Sequence, residues 1–263
     1  MALTDGVAVV TGAGRGIGRL IALGLAREGA FVVAVSRNAE ELERLAVEIR
    51  ATGGEAEPFR ADVSDADDVG ALADHIRARH GRLLVLVNNA ALRMDHIGGG
   101  PAYPYRMPLV DVPVEQWDRM MATNVRGPFL TCKLLAPMLF ASGGASVINV
   151  SAGAGVRGQA GRAPYTASKF ALEGLTQALA EEWHDAGVAV NALEPGGSVL
   201  TDGVKAGLVA VGTDRRFLRP EVMVPPAVFL ASQNASGVTG RHVNALAWCV
   251  ERGLGGPDGW YAR

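Results

Sequence analysis

The sequence predicts an α/β fold, in which a doubly wound parallel sheet carries helices on both faces. Short runs that are apolar throughout alternate with longer segments of helical periodicity, and no linker or shift in composition divides the 263 residues. A strand that is apolar throughout is covered on both faces, and strict alternation of strand and helix gives parallel strands joined by right-handed crossovers. We therefore expect a single domain over residues 1–263 with about seven strands.

The elements follow one another in a regular order. VAVV at residues 7–10 is the first strand, and the helical periodicity of residues 15–29 ends at a glycine. Further strands are predicted at residues 31–36, near residue 59, and at residues 83–87, 146–150, 188–193 and 243–246. Further helices are predicted at residues 39–51, 65–80, 114–141 and 163–186.

Composition excludes several classes of protein. The formal net charge of −2 gives no electrostatic case for nucleic acid or an anionic membrane. No apolar run approaches the roughly 20 residues that cross a bilayer, and the N-terminus enters the first strand without a leader. Cys132 and Cys249 lie on apolar segments, and neither they nor the five histidines have metal-binding spacing. We expect a soluble, cytoplasmic protein without a metal.

The segment TGAGRGIG at residues 11–18 joins the first strand to the first helix, where a pyrophosphate site is expected. Gly12 allows a tight turn, Gly16 lets the backbone approach the phosphates, and Gly18 lets the helix lie close to the sheet. The helix N-terminus presents free N–H groups and a partial positive charge to the anion. This context predicts dinucleotide binding rather than a plain turn.

Tyr165 and Lys169 stand four residues apart on a predicted helix and therefore share one face. A free tyrosine has a pKa of about 10, which makes it a poor acid or base at neutral pH. A neighbouring ammonium lowers that pKa by stabilising the phenolate, so that tyrosine can give a proton to a carbonyl oxygen or take one from an alcohol. For the spacing alone, a surface pair on an exposed helix is the alternative.

Taken together, TGAGRGIG, NNAA at residues 88–91, Asn124 and Tyr165-x-x-x-Lys169 resemble the motifs of the short-chain dehydrogenase/reductase family. The likeness extends over nearly the whole chain. It implies a Rossmann-like fold, interconversion of a ketone or aldehyde and an alcohol by hydride transfer, and a homodimer or homotetramer formed through the two long helices. It also implies that Tyr165 is the acid/base, that Lys169 holds the nicotinamide ribose and that Asn124 holds a water of a proton relay.

The resemblance assigns further residues to the cofactor. Asp62 and Val63 resemble the pair at the adenine ring, the turn at residues 88–91 passes the adenosine ribose, and Thr201 resembles the residue that contacts the carboxamide. The predicted cofactor-binding residues are Gly12, Arg15, Gly16, Ile17, Gly18, Ser36, Arg37, Asp62, Val63, Asn89, Ala90, Tyr165, Lys169, Pro195, Gly196 and Thr201.

The end of the second strand predicts NADP(H) rather than NAD(H). A carboxylate there would accept hydrogen bonds from the adenosine ribose hydroxyls, whereas an arginine accommodates the 2′-phosphate of NADP. Here the strand ends in Ser36, Arg37 and Asn38, and Arg15 lies in the glycine loop. Two guanidiniums suit a dianionic phosphate. The alternative is that both arginines are solvated surface residues.

The family serine that polarises the substrate carbonyl, thirteen residues before the tyrosine, is Ala152 in this chain. Ser151 lies one residue earlier and is the candidate catalytic serine if a local bulge reorients it. Otherwise Ala152 leaves the site without a hydroxyl, because successive side chains of an extended segment point in opposite directions. Loss of one such donor costs about 10²–10³ in turnover. Substitute donors are Gln159, Ser198, His96, Tyr103 and Tyr105.

Three irregular segments are expected to determine the substrate. They are an inserted loop at about residues 92–108, a substrate lid at about residues 197–220 and a tail at residues 250–263, whose Trp260 and Tyr261 either dock on a neighbouring subunit or cover a pocket. The lid is apolar, which suits a carbonyl compound with an apolar or cyclic body, unless these residues simply pack in the core: Val204, Leu208, Val209, Val211 and Phe217.

Two alternatives to a carbonyl reductase or alcohol dehydrogenase remain open at this level. A nucleotide-binding regulator of low activity is suggested by Ala152, although it would have no need of Tyr165, Lys169 and Asn124 together. Redox epimerisation or dehydration of a sugar nucleotide is disfavoured by the glycine spacing and the short C-terminal region.

Overall fold

Seven parallel strands form one sheet in the described part of the chain, in the order β3-β2-β1-β4-β5-β6-β7. The structure is a computed structural model that describes residues 2–94, 106–201, 204 and 216–262. The strands are β1 Val7–Thr11, β2 Phe31–Ser36, β3 Glu55–Arg60, β4 Val85–Asn88, β5 Ala145–Val150, β6 Val188–Glu194 and β7 His242–Asn244. The predicted doubly wound α/β fold is confirmed.

Helices connect the strands and cover both faces of the sheet. They are α1 Gly16–Arg27, α2 Ala39–Ala51, α3 Ala66–Arg79, α4 Val114–Met121, α5 Gly127–Phe140, α6 Ala163–Glu182, α7 Val224–Ala231 and α8 Ala245–Glu251. A π-helical segment, Ala122–Arg126, joins α4 to α5, so the single helix predicted at residues 114–141 contains a wide turn. Helices α7 and α8 were not predicted from the sequence.

The N-termini of the helices are completed in different ways. The Asn38 side chain accepts from the Glu41 N–H at 3.2 Å and caps α2, and Asp65 caps α3 by accepting from Asp67 N–H at 2.8 Å. Helix α1 follows Arg15, which makes no capping hydrogen bond. Of these three helices, α1 alone has an N-cap residue whose side chain accepts no hydrogen bond from the N–H groups of the first turn.

Two apolar clusters lie on opposite faces of the sheet. Helices α1, α2, α7 and α8 pack on one face, and α3, α5 and α6 on the other. Successive residues of β1 serve different faces, since Val9 belongs to the second cluster and Val10 to the first. The strand order reverses between β1 and β4, which opens a crevice at the carboxyl ends of these strands.

The last strand is displaced from its predicted position at residues 243–246. It is formed by His242–Asn244, because the Asn244 side chain accepts from the Ala247 N–H at 2.9 Å and starts helix α8. Both cysteines are buried free thiols, and burial raises the pKa of Cys132 to about 12. Among the described residues, we find no helix with the length and apolarity that crossing a membrane requires.

Candidate active site

The glycine loop between β1 and α1 adopts a backbone that its glycines permit. Gly12 has a φ of +63° and Gly16 a φ of +57°, both in the left-handed region. A Cβ on Gly18 would lie 2.3 Å from Asn89 Nδ2 and 2.4 Å from the Gly12 carbonyl oxygen. Only glycine at this position lets α1 start so close to the loop. The uncapped first turn of α1 then suits a pyrophosphate.

Asn89 and Thr11 hold the glycine loop against the end of β4. Asn89 Nδ2 donates to the carbonyl oxygens of Thr11 at 2.9 Å and of Gly12 at 3.1 Å. Thr11 Oγ1 accepts from the N–H groups of Asn89 at 3.0 Å and Ala90 at 3.1 Å. These contacts give Asn89 a positioning role, because its amide hydrogen bonds are made to the loop that surrounds the phosphate site.

A cavity of about 490 Å³ lies over this loop. It extends from the start of α1 to Thr201 and to the C-terminal tail. The lining includes four arginines and two glutamates: Arg15, Arg19, Arg44, Arg219, Glu41 and Glu221. The cavity covers the phosphate end of the crevice, and Tyr165 and Lys169 do not line it. Its size and cationic side chains fit part of a dinucleotide.

Arg37 lies beside Asp62 at the edge of the crevice. Arg37 Nη1 is 3.5 Å from Asp62 Oδ2, and the arginine side chain is 65% exposed. Burial opposes ionisation of Asp62, but hydrogen bonds from Ser64 and the charge of Arg37 hold its pKa below the usual value. Val63 is buried and leaves room only for glycine at position 127, where a Cβ would lie 2.9 Å from Val63 Cγ2.

Glu41 is a neighbour of the predicted 2′-phosphate site that sequence reasoning did not identify. A Cβ built on Gly14 would lie 2.7 Å from Glu41 Oε2 and 3.2 Å from Ser36 Oγ, so the carboxylate is close to Ser36. Ser36 Oγ also accepts from the Asn38 N–H at 3.3 Å. The positive charge that Arg15 and Arg37 supply is therefore partly offset by the Glu41 carboxylate as well as by that of Asp62.

Tyr165 and Lys169 lie on the first turns of α6 and are both buried. The Lys169 ammonium is 5.8 Å from the centre of the Tyr165 ring and donates to the Val150 carbonyl oxygen at 2.7 Å. Burial lowers the pKa of Lys169 to about 8, and the nearby Glu173 carboxylate opposes this shift. Arg162, also missed from the sequence, places its guanidinium 4.8 Å from the same ring.

Asn124 is buried in the π-helical segment, which turns its side chain toward β4 and α6. Its Oδ1 accepts from the Leu92 N–H at 2.7 Å, and its Nδ2 donates to the Leu92 carbonyl oxygen at 2.9 Å. Nδ2 also donates to Ser168 Oγ at 3.0 Å, and Ser168 in turn donates to the Tyr165 carbonyl oxygen at 2.8 Å. The structure thus links Asn124 to the helix that carries Tyr165 and Lys169.

Ser151 and Ala152 have different surroundings. The buried Ser151 hydroxyl donates to the carboxylate of Glu173. Ala152 packs against the small cluster of Met94, Met120, Ala154 and Tyr165. The alternation of an extended backbone therefore leaves a methyl group on the side of Tyr165 and directs the Ser151 hydroxyl to Glu173, as the second of the two alternatives, a site without the hydroxyl, would require.

The substitute donors are only partly covered by the structure. Gln159 Oε1 accepts from the Arg162 guanidinium, and Ser198 accepts from the Leu218 N–H through its main-chain oxygen at 2.7 Å. His96, Tyr103 and Tyr105 lie outside the described residues.

The turn after β6 lies on the other side of the crevice. Gly196 has a φ of +87°, its N–H donates to Glu194 Oε2 at 2.9 Å, and a Cβ there would lie 2.5 Å from Asn244 Oδ1. Pro195 is buried, and its carbonyl oxygen accepts from the Leu246 N–H at 3.3 Å. Thr201 faces the glycine loop, since a Cβ on Gly16 would lie 3.5 Å from its Cγ2.

The segment expected to be the lid is described at its two ends. Val199 and Leu218 form a parallel bridge, which brings these ends together. Of the apolar residues expected there, Val204 and Phe217 are described, whereas Leu208, Val209 and Val211 lie outside the described residues.

The C-terminal tail packs on the end of this segment within the same chain. Trp260 Nε1 donates to the Leu254 carbonyl oxygen at 2.7 Å, and the Arg219 N–H donates to the Trp260 carbonyl oxygen at 2.7 Å. The Arg216 guanidinium lies 4.0 Å from the Tyr261 ring centre. Ala262, the next residue, lines the cavity over the glycine loop.

Comparison with known proteins agrees with this architecture. A family model described as short chain dehydrogenase matches residues 6–207. The chain is 35% identical over 242 residues to D-threitol dehydrogenase of Mycolicibacterium smegmatis, covering 89% of this chain and 88% of that protein. It is 35% identical over 247 residues to the 3-oxoacyl-(acyl-carrier-protein) reductase FabG of Staphylococcus aureus, covering 90% and 96%. A gluconate 5-dehydrogenase from Burkholderia cenocepacia, solved with NADP and tartrate, aligns with a TM-score of 0.79 at 29% identity, covering 92% of this chain and 94% of that chain.

Proposed function

The chain belongs to the short chain dehydrogenase family of oxidoreductases, and on that premise we propose that it is an NADP(H)-dependent enzyme interconverting a carbonyl compound and an alcohol. The observation that carries the proposal is the joint burial of Tyr165, Lys169 and Asn124 in a chain whose glycine loop has the backbone that a pyrophosphate site requires. NADP is the dinucleotide bound to the gluconate 5-dehydrogenase described above. Arg15 and Arg37 give this chain the positive charge that the 2′-phosphate requires.

The described residues fit a dinucleotide. The left-handed backbone at Gly12 and Gly16 and the uncapped α1 would hold the pyrophosphate. Ser36 and Arg37 would hold the 2′-phosphate, Asp62 and Val63 the adenine, and the turn of residues 195–196 the nicotinamide side. When bound, the dinucleotide supplies or takes up the hydride.

The chain itself contributes the proton transfer. Tyr165 gives a proton to the carbonyl oxygen during reduction and takes one from the hydroxyl group during oxidation. During reduction Tyr165 becomes a phenolate, which the Lys169 ammonium stabilises. The Arg162 guanidinium, which lies over the same ring, also stabilises it. Asn124 positions the segment at Leu92 and the helix at Ser168, and a water beside it would return the proton from solvent.

The substrate is a small carbonyl or hydroxy compound. The relatives named above are a polyol dehydrogenase, a 3-oxoacyl reductase and a gluconate dehydrogenase, so they share the carbonyl–alcohol step rather than one substrate. The loop at about residues 92–108, the lid at about residues 197–220 and the tail at residues 250–263 are the segments that we expect to select among such compounds.

Titration with NADPH and NADH, followed by loss of NADPH absorbance on a panel of ketones, aldehydes and hydroxy acids, tests the proposal. We expect tighter binding of NADPH and turnover of at least one compound. Tyr165→Phe should keep NADPH binding and lose about 10²–10⁴ in turnover, with Tyr261→Phe as the matched control. Binding without turnover on any compound, unchanged by Ala152→Ser, would instead identify a nucleotide-binding regulator.

We further propose a cytoplasmic homodimer or homotetramer. Its contact would be the apolar face that Phe129 of α5 and Phe170 of α6 leave exposed, each by 46%. The free thiols of Cys132 and Cys249 suit a reducing compartment. Light scattering of the wild type and of Phe129→Glu measures the oligomer, and an unchanged mass for the variant would contradict this contact.

A further inference from the structure

Ser151, Glu173, His242 and Glu194 form a chain of polar side chains, here called the Glu173 network. Glu173 Oε1 accepts from the Ser151 hydroxyl and pairs with His242 Nδ1 at 2.9 Å. His242 Nε2 lies 3.9 Å from Glu194 Oε1. Both glutamate side chains are only 8% exposed, so an uncompensated charge on either would be costly. The histidine compensates both.

One end of the Glu173 network holds α6 against β5. Lys169 donates to the Val150 carbonyl oxygen at 2.7 Å, and the next residue, Ser151, donates to Glu173. Lys169 and Glu173, four residues apart on one face of α6, thus form hydrogen bonds with Val150 and Ser151, two successive residues at the end of β5. A Cβ on Gly155 would lie 2.8 Å from Ser151 Oγ and 3.2 Å from Glu173 Oε1, so this packing depends on glycine.

The other end reaches the turn after β6. Glu194 Oε2 accepts from the Gly196 N–H at 2.9 Å, and Oε1 accepts from Asn244 Nδ2 at 2.6 Å. His242 is on β7 and Glu173 on α6, so the network crosses from the helix of Lys169 to the turn proposed to border the nicotinamide.

The charges along this path alternate. The hydrogen bond to Glu173 and the negative charges of Glu173 and Glu194 raise the pKa of His242 to about 9, so it is a cation at neutral pH. Lys169 is the second cation, and its ammonium is favoured by the Glu173 carboxylate. Beyond Lys169 lie Tyr165, on the same helix, and Arg162, whose guanidinium is 4.8 Å from the centre of the Tyr165 ring.

We propose that Glu173 and His242 are positioning residues of the oxidoreductase: Glu173 places a carboxylate that favours the Lys169 ammonium, and His242 holds Glu173 in place and connects α6 to the turn at Gly196. The inference rests on the proposed function, because Lys169 matters there as the cation beside Tyr165 and the dinucleotide. Neither Glu173 nor His242 touches the reacting atoms in this assignment. Each acts through Lys169 or Gly196.

The test follows Lys169 directly. The chain has three lysines, Lys133, Lys169 and Lys205, so ¹³C-lysine labelling gives few NMR signals to assign. In the wild type we expect Lys169 to titrate at about pH 8. Glu173→Gln removes a negative charge and should lower that midpoint by about one pH unit. His242→Asn keeps a donor toward Glu173 but removes a positive charge, and should raise the midpoint.

The two variants should shift the Lys169 midpoint in opposite directions. General damage to the fold would not lower the midpoint in one variant and raise it in the other. His184→Asn and Glu181→Gln, at exposed positions near the end of α6, should leave the midpoint unchanged. If Glu173→Gln does not fold, the sign of the His242→Asn shift decides. A midpoint that stays at the wild-type value in both folded variants overturns the proposal.

Binding of NADPH, followed by its fluorescence over the same pH range, tests the functional part. In the wild type the affinity should fall as Lys169 loses its proton, and in Glu173→Gln it should fall at lower pH. If wild-type protein binds no NADPH while the Lys169 midpoint shifts as expected, the proposed function fails and the coupling stands. If NADPH binds with a pH profile that Glu173→Gln does not alter, the positioning role fails.

Discussion

Ser151 donates a hydrogen bond to Glu173, whereas the next residue, Ala152, packs in the cluster that contains Tyr165. The hydroxyl and the methyl group are thus on different sides of the segment that follows β5. A hydroxyl on the tyrosine side would be a donor for a developing oxyanion, and Ala152 supplies none. The chain therefore has the tyrosine–lysine pair but lacks the hydroxyl that a serine at position 152 would supply.

Ala152→Ser should raise turnover. The new hydroxyl would lie in the Tyr165 cluster and polarise the carbonyl, so we expect kcat to rise about ten- to a hundredfold. The measurement is the initial rate of NADPH oxidation on the best ketone. Ala141→Ser, at an exposed helix end, is the control for the substitution itself. An unchanged kcat would mean that another donor already serves the carbonyl oxygen.

Arg37→Asp should shift coenzyme preference from NADPH toward NADH. The variant removes the guanidinium proposed to bind the 2′-phosphate and adds a carboxylate, which suits a ribose hydroxyl. It also places two carboxylates together, since Asp62 is the present partner of Arg37 at 3.5 Å. We expect the ratio of kcat/KM for the two coenzymes to change at least tenfold. Arg27→Asp, at the far end of α1, is the control, and an equal ratio in both variants would discard the phosphate assignment.

His242 should make the folded protein more stable at neutral than at alkaline pH. Its pKa rises from 6.5 to about 9 on folding, so its contribution is complete below 6.5 and is lost as pH rises through about 9. The full shift would correspond to on the order of 3 kcal/mol, and solvent screening at this partly exposed histidine makes the actual contribution smaller. Lys169 has the opposite effect on stability. Because its pKa falls on folding from 10.5 to about 8, its contribution makes the folded protein more stable as pH rises above about 8.

Urea unfolding of the wild type and of His242→Asn over this pH range separates the two groups. The difference in the free energy of unfolding should be largest below pH 6.5 and shrink to almost nothing above about 9. A difference that does not depend on pH would show that the histidine stabilises the fold through packing alone.

Trp260→Ala should weaken dinucleotide binding although the residue is far along the chain from the glycine loop. Trp260 anchors the tail on Arg219, which lines the cavity together with Ala262. Loss of that anchor should raise the Kd for NADPH about tenfold, or about 1.4 kcal/mol, as measured by fluorescence titration. Leu254→Ala, at an exposed position of the same tail, is the control, and equal Kd values for both variants would contradict this role.

Local patterns accounted for much of the fold. Strands β1 and β2 and helices α2 and α6 begin where the sequence predicted, because apolar runs and periodicity are properties of adjacent residues. The shift of β7 came from Asn244, which ends the strand by capping the next helix. The wide turn at residues 122–126 has no periodic signature in the sequence, so α4 and α5 were expected as one helix.

The candidate site was predictable where its residues lie in short motifs, as with Gly12, Tyr165 and Lys169. It was not predictable where partners are distant in sequence. Glu173 and His242 are 69 residues apart and meet only because α6 and β7 pack together. The orientation of Ser151 is likewise decided by Glu173, 22 residues away. Such pairings depend on the packed structure and leave no local signal.

The bonds that Asn124 makes to both main-chain groups of Leu92 have a bearing on enzyme engineering. They fix the backbone as it leaves β4, and the Met107 N–H, bonded to the Gly161 carbonyl oxygen at 2.8 Å, fixes it where it returns beside α6. We therefore expect that the stretch between these two anchor points, apart from Met94 in the cluster of Tyr165, can be shortened, lengthened or grafted from a relative without loss of the contacts around Tyr165. If this loop selects the substrate, as proposed, substrate range could then be altered with loop libraries that leave Tyr165 and Lys169 unchanged.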